Sequence, residues 1–554
     1  MNKLKSVSRR IIIFILAIWS ITAHAESIAP LDNKSPFLPS LKDKPSHLSQ
    51  LGEIYVSKIY VTGNTIFKRT DLDFILKPYE NRIVKAEELH EIKNKLSMFY
   101  ISKGYVNSGC ILKDQRIESC KIEYQIIEGV LDEVFVESKR LSDSFIEKRI
   151  RLSTGDGKRP FNINELQTRL KLLKQEPSIE NINTYVKPGL KKGAANLKVV
   201  VQEANPFRVT MDCHNHNSPG IGGYRGDLTF KHLNVLGWAD SFLFQYGATE
   251  GLNNFKAQYE IPVNRRDTRL NVSVDHSQTK VVADSYSALD ITGDTTSFTL
   301  GINHFLYRTP ATEFTMEMAL ETRESNTELR GEPFTFSDGV IDGNSKVSIL
   351  KCSQQWLYRS FNQVLAVHSS FNFGVDILDA TISDNDNSPD GKYVAWLGQF
   401  QWIRRLSFLH SQLITRVSMR LSDDPMLAIE KFSIGGATTV RGYRENLIIS
   451  DSGFIGSIEW RIPIGKYPFF ALSKTINDGQ LHLAPFIDYG KGRNNNSDLD
   501  PDTLLGAGLG LKWQISSSAF AEIYWGAALE DVEIEADSDI QDDGIHFFIS
   551  CQLY

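Results

Sequence analysis

From Phe207 to the last residue, apolar and polar side chains alternate with a period of two. Phe314, Met316, Met318 and Leu320 alternate with Thr315, Glu317, Ala319 and Glu321; Leu413, Val417, Met419 and Leu421 with Ile414, Arg416, Ser418 and Arg420; and Leu505, Ala507, Leu509, Leu511 and Trp513 with three glycines and Lys512. The pattern predicts many strands, each with one apolar and one polar face. Before Phe207 the period is different. Leu89, Ile92, Leu96 and Phe99 share one face of a helix expected over Ala86 to Ser102, and Leu166, Leu170 and Leu173 share one face of another. Strand-like runs flank both: Ile54 to Val61, Gly109 to Leu112 and Cys120 to Ile127 around the first, then Leu131 to Val136 and Leu197 to Val201 around the second. Two α+β modules in tandem, over 52–129 and 130–205, are therefore expected ahead of an all-β region over 206–554. Asn162, three residues before Glu165, is placed to cap the second helix.

Charge and address narrow the function. Lys3, Lys5, Arg9 and Arg10 precede the apolar run Ile11 to Ile21, and Ala23-His24-Ala25 follows as a small-x-small site, so residues 1–25 read as a secretory signal peptide. Residues 26–51 carry four prolines and read as a linker with room for at most a short plug helix. No apolar run reaches the roughly 20 residues that a membrane helix needs, so insertion must use strands. The length of the all-β region then suits an antiparallel transmembrane barrel of about 16 strands, with lipid outside. A net charge of -6 without a basic, aromatic-laced stripe argues against nucleic acid. No nucleophile, base or paired-carboxylate constellation suggests an enzyme, a cofactor or a small-molecule substrate. His214 and His216 share a strand face but lack the further ligands that a metal requires. Cys110 and Cys120 flank a polar segment between two strands, where they either close a hairpin as a disulfide or stay unpaired.

The candidate chemistry lies in the barrel. Val440-Arg441-Gly442-Tyr443 sits on a glycine-containing loop around 434–446, and Phe486-Ile487-Asp488-Tyr489-Gly490 lies on a later strand. Alternation turns Phe486, Asp488 and Gly490 inward, so Arg441 and Asp488 form a natural lumen ion pair. Ionisable groups at membrane depth are costly unless they face a polar interior and find partners. Glu459 and Arg461 share a strand face with Ser457 and add to a charged lumen.

On these motifs, together with two POTRA-like modules carrying Val61-Thr62-Gly63-Asn64 and Lys187-Pro188-Gly189, the chain resembles the two-partner secretion transporters of the FhaC/ShlB/HecB haemolysin secretion/activation family. The resemblance implies that the Val-Arg-Gly-Tyr loop folds back into the lumen and that Arg441 pairs with Asp488 on the wall. It implies an outer-membrane location with the modules in the periplasm, where the second module, about Leu131 to Glu203, contacts a large secreted exoprotein. Lipid and the barrel assembly machinery are the other partners it implies. The alternative is an assembly factor or insertase of the same superfamily. Tyr554 falls one residue out of phase with Ile545, Phe547, Ile549, Cys551 and Leu553, a departure from the aromatic end expected of the final strand.

Overall fold

The computed structural model describes residues 47–554 apart from 118, 386–387 and 533–537. The expected signal peptide and most of the expected linker lie outside the described residues. At the start of the described chain, Leu48–Gln50 makes one 3-10 turn. This short segment and residues 114–119 form a small unit of their own, held by the Ser49 N–H on Asp114 Oδ1 at 3.0 Å and the Leu48 N–H on the Gln115 carbonyl at 3.0 Å.

The first module contains β1 (Glu53–Val56), β2 (Lys58–Thr62), α1 (Arg69–Leu76), β3 (Arg82–Lys85), α2 (Ala86–Ser102), β4 (Gly109–Ile111) and β5 (Lys121–Ile127). The run expected as one strand from Ile54 to Val61 breaks at Ser57, and its halves enter different sheets. β1 pairs with β3, while β2 pairs in parallel with β5 in the order β2-β5-β4. The apolar face of α2 is buried through Leu89, Ile92, Leu96 and Tyr100. Tyr124 of β5 lies beneath it and donates its hydroxyl to the Leu89 carbonyl at 2.9 Å.

The disulfide reading of Cys110 and Cys120 is corrected by register. Both are free thiols. Cys110 stands opposite Ile126, near the far end of β5, whereas Cys120 immediately precedes that strand. Six residues of strand separate the two ends, about 20 Å at the usual rise, well beyond the reach of a disulfide. Burial pushes the Cys110 thiol up to about 12, so it is a core residue rather than a reactive group.

The second module contains β6 (Val130–Glu137), α3 (Asp143–Ile150), α4 (Ile163–Leu173), β7 (Ile179–Pro188) and β8 (Ala194–Glu203) in the sheet order β6-β8-β7. Asn162 does cap α4, its side chain accepting from the Asn164 N–H at 2.9 Å, but it makes no reciprocal bond with Glu165. The core of Leu131, Phe145, Ile146, Ile150, Phe161, Leu166 and Leu197 extends to Ala239, on a barrel turn.

That turn is part of a larger joint between module and barrel. Arg149 of α3 is 4% exposed and lies flat on the Phe145 ring. Its Nε donates to Asp267 Oδ1 at 2.7 Å, and Arg308 Nη1 reaches Asp267 Oδ2 at 2.9 Å. Beside them, Arg269 Nη2 donates to Glu176 at 2.6 Å and Nη1 to Glu260 at 2.6 Å. Three guanidinium groups thus meet three carboxylates at the module end of the barrel. Nothing in the period-two pattern signals this joint, because its members come from a helix, two connections and the ends of three different strands.

Among the described residues, sixteen long strands close the barrel, with a two-residue strand, Glu332–Pro333, appended to one loop. The first, Phe207–His214, pairs with the last, Ile545–Gln552, from Thr210↔Gln552 to His214↔Phe548. The side-chain faces match the alternation. Met316 and Met318 are exposed on the outside, while Glu321 and Ala319 of the same strand are buried. The sheet therefore carries its apolar face outward, the reverse of a soluble sandwich and the arrangement of a barrel in lipid.

Candidate functional site in the barrel lumen

Residues 423–451 leave the wall after the strand Gln412–Ser422 and return at Ser452. Their middle is a two-stranded ribbon in which Phe432–Ile434 pairs with Ile448–Ser450, so the loop has a fixed stem. Ile434, Val440, Tyr443 and Ile448 pack with the wall residues Ile455 and Leu504, an apolar patch on an otherwise polar inner face. The tip is closed by Gly436 N–H on the Val440 carbonyl, 3.1 Å, and Ala437 N–H on Glu445, 2.7 Å.

Arg441 is brought onto the wall at the end of this tip. Its Nε and Nη2 donate to the two oxygens of Asp488 at 2.7 and 2.9 Å, Nη1 donates to Glu459 at 2.7 Å, and Nη2 also reaches the Ser457 hydroxyl at 3.3 Å. The Arg441 backbone N–H donates to Asp488 as well, at 3.1 Å. The guanidinium lies 3.7 Å from the centroid of Phe486 and 4.6 Å from that of Tyr524. Arg441 is 3% exposed, and Asp488 and Glu459 are fully buried. Glu459 also accepts from Arg461 at 2.6 Å and from the Tyr524 hydroxyl at 3.0 Å, which leaves two cations facing two anions. Bidentate pairing and stacking are specific to a planar guanidinium, so this pocket selects arginine over lysine.

The residues singled out in the sequence fall around this point. Val440 is in the loop's apolar core. Gly442 adopts φ +101, a backbone that other residues rarely take, and lies over Gly526. The Tyr443 hydroxyl donates its one proton to the Leu505 carbonyl at 2.9 Å, with the Glu530 carbonyl at 3.1 Å as the alternative acceptor, and accepts from the Glu530 N–H at 3.0 Å. Gly490 leaves room for Ile434 and Val440. His214 instead binds Asp227 at 3.1 Å, and no group of three or more metal-capable side chains occurs among the described residues.

Sequence reasoning missed four parts of the site. Tyr524 closes the ring around Arg441, and Arg444 pairs with Asp542. Gln541, fully buried, accepts from the Glu445 N–H at 3.0 Å and donates to the Asn215 and Asn217 carbonyls, tying the loop to the end of the first strand. The fourth is a glycine track. A Cβ at Gly506 would collide with the Arg441 carbonyl oxygen, and one at Gly526 would lie 2.8 Å from the Gly442 nitrogen. Here a signal existed: inward glycines at alternate positions of one strand mark a close backbone approach.

Gly506→Ala is accordingly expected to lift the loop tip, at about 1–3 kcal/mol for overpacking against fixed backbone. Gly226→Ala, on the first hairpin with nothing within 4 Å of its added carbon, is the matched control. Hydrogen exchange of a loop peptide spanning 434–446 should accelerate in the first variant only; equal exchange in the two would show that the wall does not set the loop's position.

Residues 193–513 match the family described as haemolysin secretion/activation protein ShlB/FhaC/HecB, and residues 54–129 match the ShlB-type POTRA domain. The outer membrane transporter CdiB of Escherichia coli O6:K15:H31 (strain 536 / UPEC) is 21% identical over 480 residues, which cover 82% of this chain and 76% of that protein. The heme/hemopexin transporter protein HuxB of Haemophilus influenzae (strain 86-028NP) is 20% identical over 433 residues, covering 76% and 73%. In three dimensions, CdiB from Escherichia coli superposes with a TM-score of 0.68 at 18% identity, covering 94% of this chain and 93% of that one. BamA from Haemophilus ducreyi lacking POTRA domains 1-3 shares the fold at a TM-score of 0.55 and 13% identity, covering 90% and 100%. The family match spans more than half of the chain and fits the modules, the closed barrel and the folded-back loop, so the chain belongs to the ShlB/FhaC/HecB haemolysin secretion/activation family, the outer-membrane transporters of two-partner secretion, with its POTRA modules in the periplasm.

Proposed function

We propose that this transporter captures one large, unfolded exoprotein on its periplasmic modules and passes it through the barrel in a cycle in which the Arg441 loop leaves its seat and must return to it. The observation that carries the reading is the seated loop itself. With it in place, the loop tip lies against the wall at Asp488, Gly506 and Gly526 and lines one side of a pocket of about 700 Å³ with Gln399, Arg416 and Lys512. That is the size of a small-ligand pocket. An extended chain crossing the membrane needs a continuous passage, so loop displacement belongs to the transport cycle. The charged wall suits such a client, since it keeps the path hydrated and offers little apolar surface for adhesion.

Capture follows from the second module. Its sheet ends in β6 on one side and β7 on the other, and neither edge has a further strand among the described residues. Tyr185 and Val186 on β7 and Phe135 on β6 are exposed. An extended segment can add to such an edge through main-chain hydrogen bonds while these side chains supply apolar contact. No enzymatic step, cofactor or nucleic acid enters this reading. The barrel assembly machinery acts on the chain only during its own insertion.

The test is quantitative proteomics of culture supernatant, cell surface and outer membrane with and without the gene. Loss of a single large exoprotein, with other barrels unchanged, is the expected result. A general fall in outer-membrane barrels would replace this reading with an assembly role.

A further inference from the structure

Outer-membrane barrels turn on the periplasmic side with short connections. Among the described residues, six of the seven connections at the module end have two to eight residues, while the one between Lys466 and Gln480 has thirteen. This long turn is an ordered body. The Asp478 carboxylate accepts from the N–H groups of Lys474 and Thr475 at 2.7 and 2.8 Å and from the Thr475 hydroxyl at 2.8 Å. Ser473 Oγ accepts from the Phe469 N–H at 2.9 Å and donates to the Ile515 carbonyl at 2.6 Å. The Gly479 N–H donates to the Gln514 carbonyl at 2.8 Å, and Lys466 Nζ to the Ile476 carbonyl at 2.9 Å.

Its polar groups are thus turned in, and its apolar side chains are turned out. Phe470 is fully exposed, Ile476 is 85% exposed, and Tyr467, Phe469 and Leu472 are exposed beside them. Their direction is fixed by the wall. Trp513 belongs to the outward set of the strand Thr503–Ser516; its indole N–H donates to the Tyr467 carbonyl at 2.9 Å, and the Phe469 ring meets it edge-on at 6.2 Å. Gly465, paired with outward Leu481, is covered by the Tyr467 ring. The turn therefore folds onto the lipid side of the rim, away from the lumen. Lys474 stands exposed on the same turn, whose one carboxylate is used internally.

We propose that this turn is a lipid anchor, its apolar face seated among the acyl chains of the periplasmic phospholipid leaflet and its lysine facing anionic headgroups. Continuity with the lipid-facing wall, apolar tips without a protein cover, and an exposed lysine beside them are the features of an interfacial element. The turn joins the strands Ser452–Lys466 and Gln480–Arg493, which carry Glu459 and Asp488. It thereby fixes the membrane depth of the hairpin that holds Arg441. That consequence for transport rests on the reading above; the lipid contact does not.

The test places a nitroxide at Phe470→Cys, and separately at Ile476→Cys, in the full chain with its five cysteines replaced by alanine. The chain is reconstituted in nanodiscs of phosphatidylethanolamine and phosphatidylglycerol. Both sites should favour oxygen over an aqueous nickel chelate, at a depth of about 5–10 Å below the phosphates, while a label at Lys192→Cys on the second module should favour the chelate. Chelate access at 470 and 476 equal to that at 192 would overturn the proposal, as would shielding from both reagents, which would mean a protein cover. A photoreactive phospholipid applied to the unsubstituted chain supplies a second reading. Adducts within 467–479 support the anchor, and adducts confined to the strands overturn it.

Discussion

Arg441→Ala is expected to abolish export of the client while leaving an assembled barrel in the outer membrane at near-normal level. The substitution removes the cation from between Asp488 and Glu459, which are fully buried. Glu459 retains Arg461 and Tyr524, but the Asp488 carboxylate is left with the backbone N–H of residue 441. Breaking one partner out of a buried pair costs about 3–5 kcal/mol, so the seated-loop population should fall by a factor on the order of 10²–10⁴. The wall ladder does not depend on this pair: the strand carrying Asp488 keeps its register with both neighbours. Immunodetection of the folded barrel alongside the secreted client gives both numbers, and normal export from a well-assembled variant would sink the assigned role. A second change separates stability from function. In Arg441→Ala/Asp488→Asn the orphaned charge is gone, so thermal stability should largely return while export stays lost.

The pair at the heart of this prediction was legible because two independent patterns converge on it. Alternation put Phe486, Asp488 and Gly490 on the inner face without any knowledge of the fold, and the Val-Arg-Gly-Tyr run supplied a partner of opposite sign on a glycine loop. The sixteen-stranded closure was legible for a similar reason. Each strand repeats one physical rule, apolar out and polar in, so errors at single residues do not accumulate. The limits of α2 could be read from Ala86 to Ser102 because its apolar face recurs at helical spacing through four buried positions.

What escaped the sequence depends on contacts between distant turns. Tyr524 meets Arg441 across eighty-three positions of chain, and a lone inward tyrosine on a strand looks like any other wall residue. Gln541 sits in a polar loop where glutamine carries no special weight, yet its one amide bonds three residues in two distant segments. The disulfide expectation failed at the same level. Cys110 and Cys120 are near neighbours in sequence, but strand register, which a single sequence states poorly, sends them to opposite ends of β5. The outward-folded turn 467–479 was not singled out in the sequence; the contacts of Tyr467 and Phe469 with Trp513 and of Tyr467 with Gly465 show on which side of the wall it lies.

The joint between the second module and the barrel yields the other large expected effect. Asp267→Asn should free the module from the barrel far more often than in the parent, whereas Asp156→Asn should be nearly silent. The two aspartates are matched in backbone and in bridging module to barrel, and differ in burial and in the number of cations they hold. Each has a left-handed backbone, φ 62 at Asp267 and φ 58 at Asp156, which asparagine tolerates well, so neither exchange strains the chain. Each bridges module and barrel turn, Asp267 to Arg149 at 2.7 Å and Asp156 to Arg265 at 2.9 Å. They differ in burial. Asp267 is 6% exposed and also holds Arg308, so the neutral amide leaves the buried Arg149 without its counter-ion and takes one of three carboxylates from Arg308, which keeps Glu176 and Glu313. Asp156 and Arg265 are both close to half exposed and water replaces what they lose. The expected costs are about 3 kcal/mol for Asp267→Asn and at most about 1 kcal/mol for Asp156→Asn. Hydrogen exchange of a peptide spanning α3 in the full chain reads the difference, with opening of the joint about 100-fold more frequent in the buried variant. Because Asp267 lies outside the lumen and touches no loop residue, exchange in 434–446 should stay at the parental rate. Equal α3 exchange in the two variants would mean that the apolar contact with Ala239, and not the buried charges, holds the module in place.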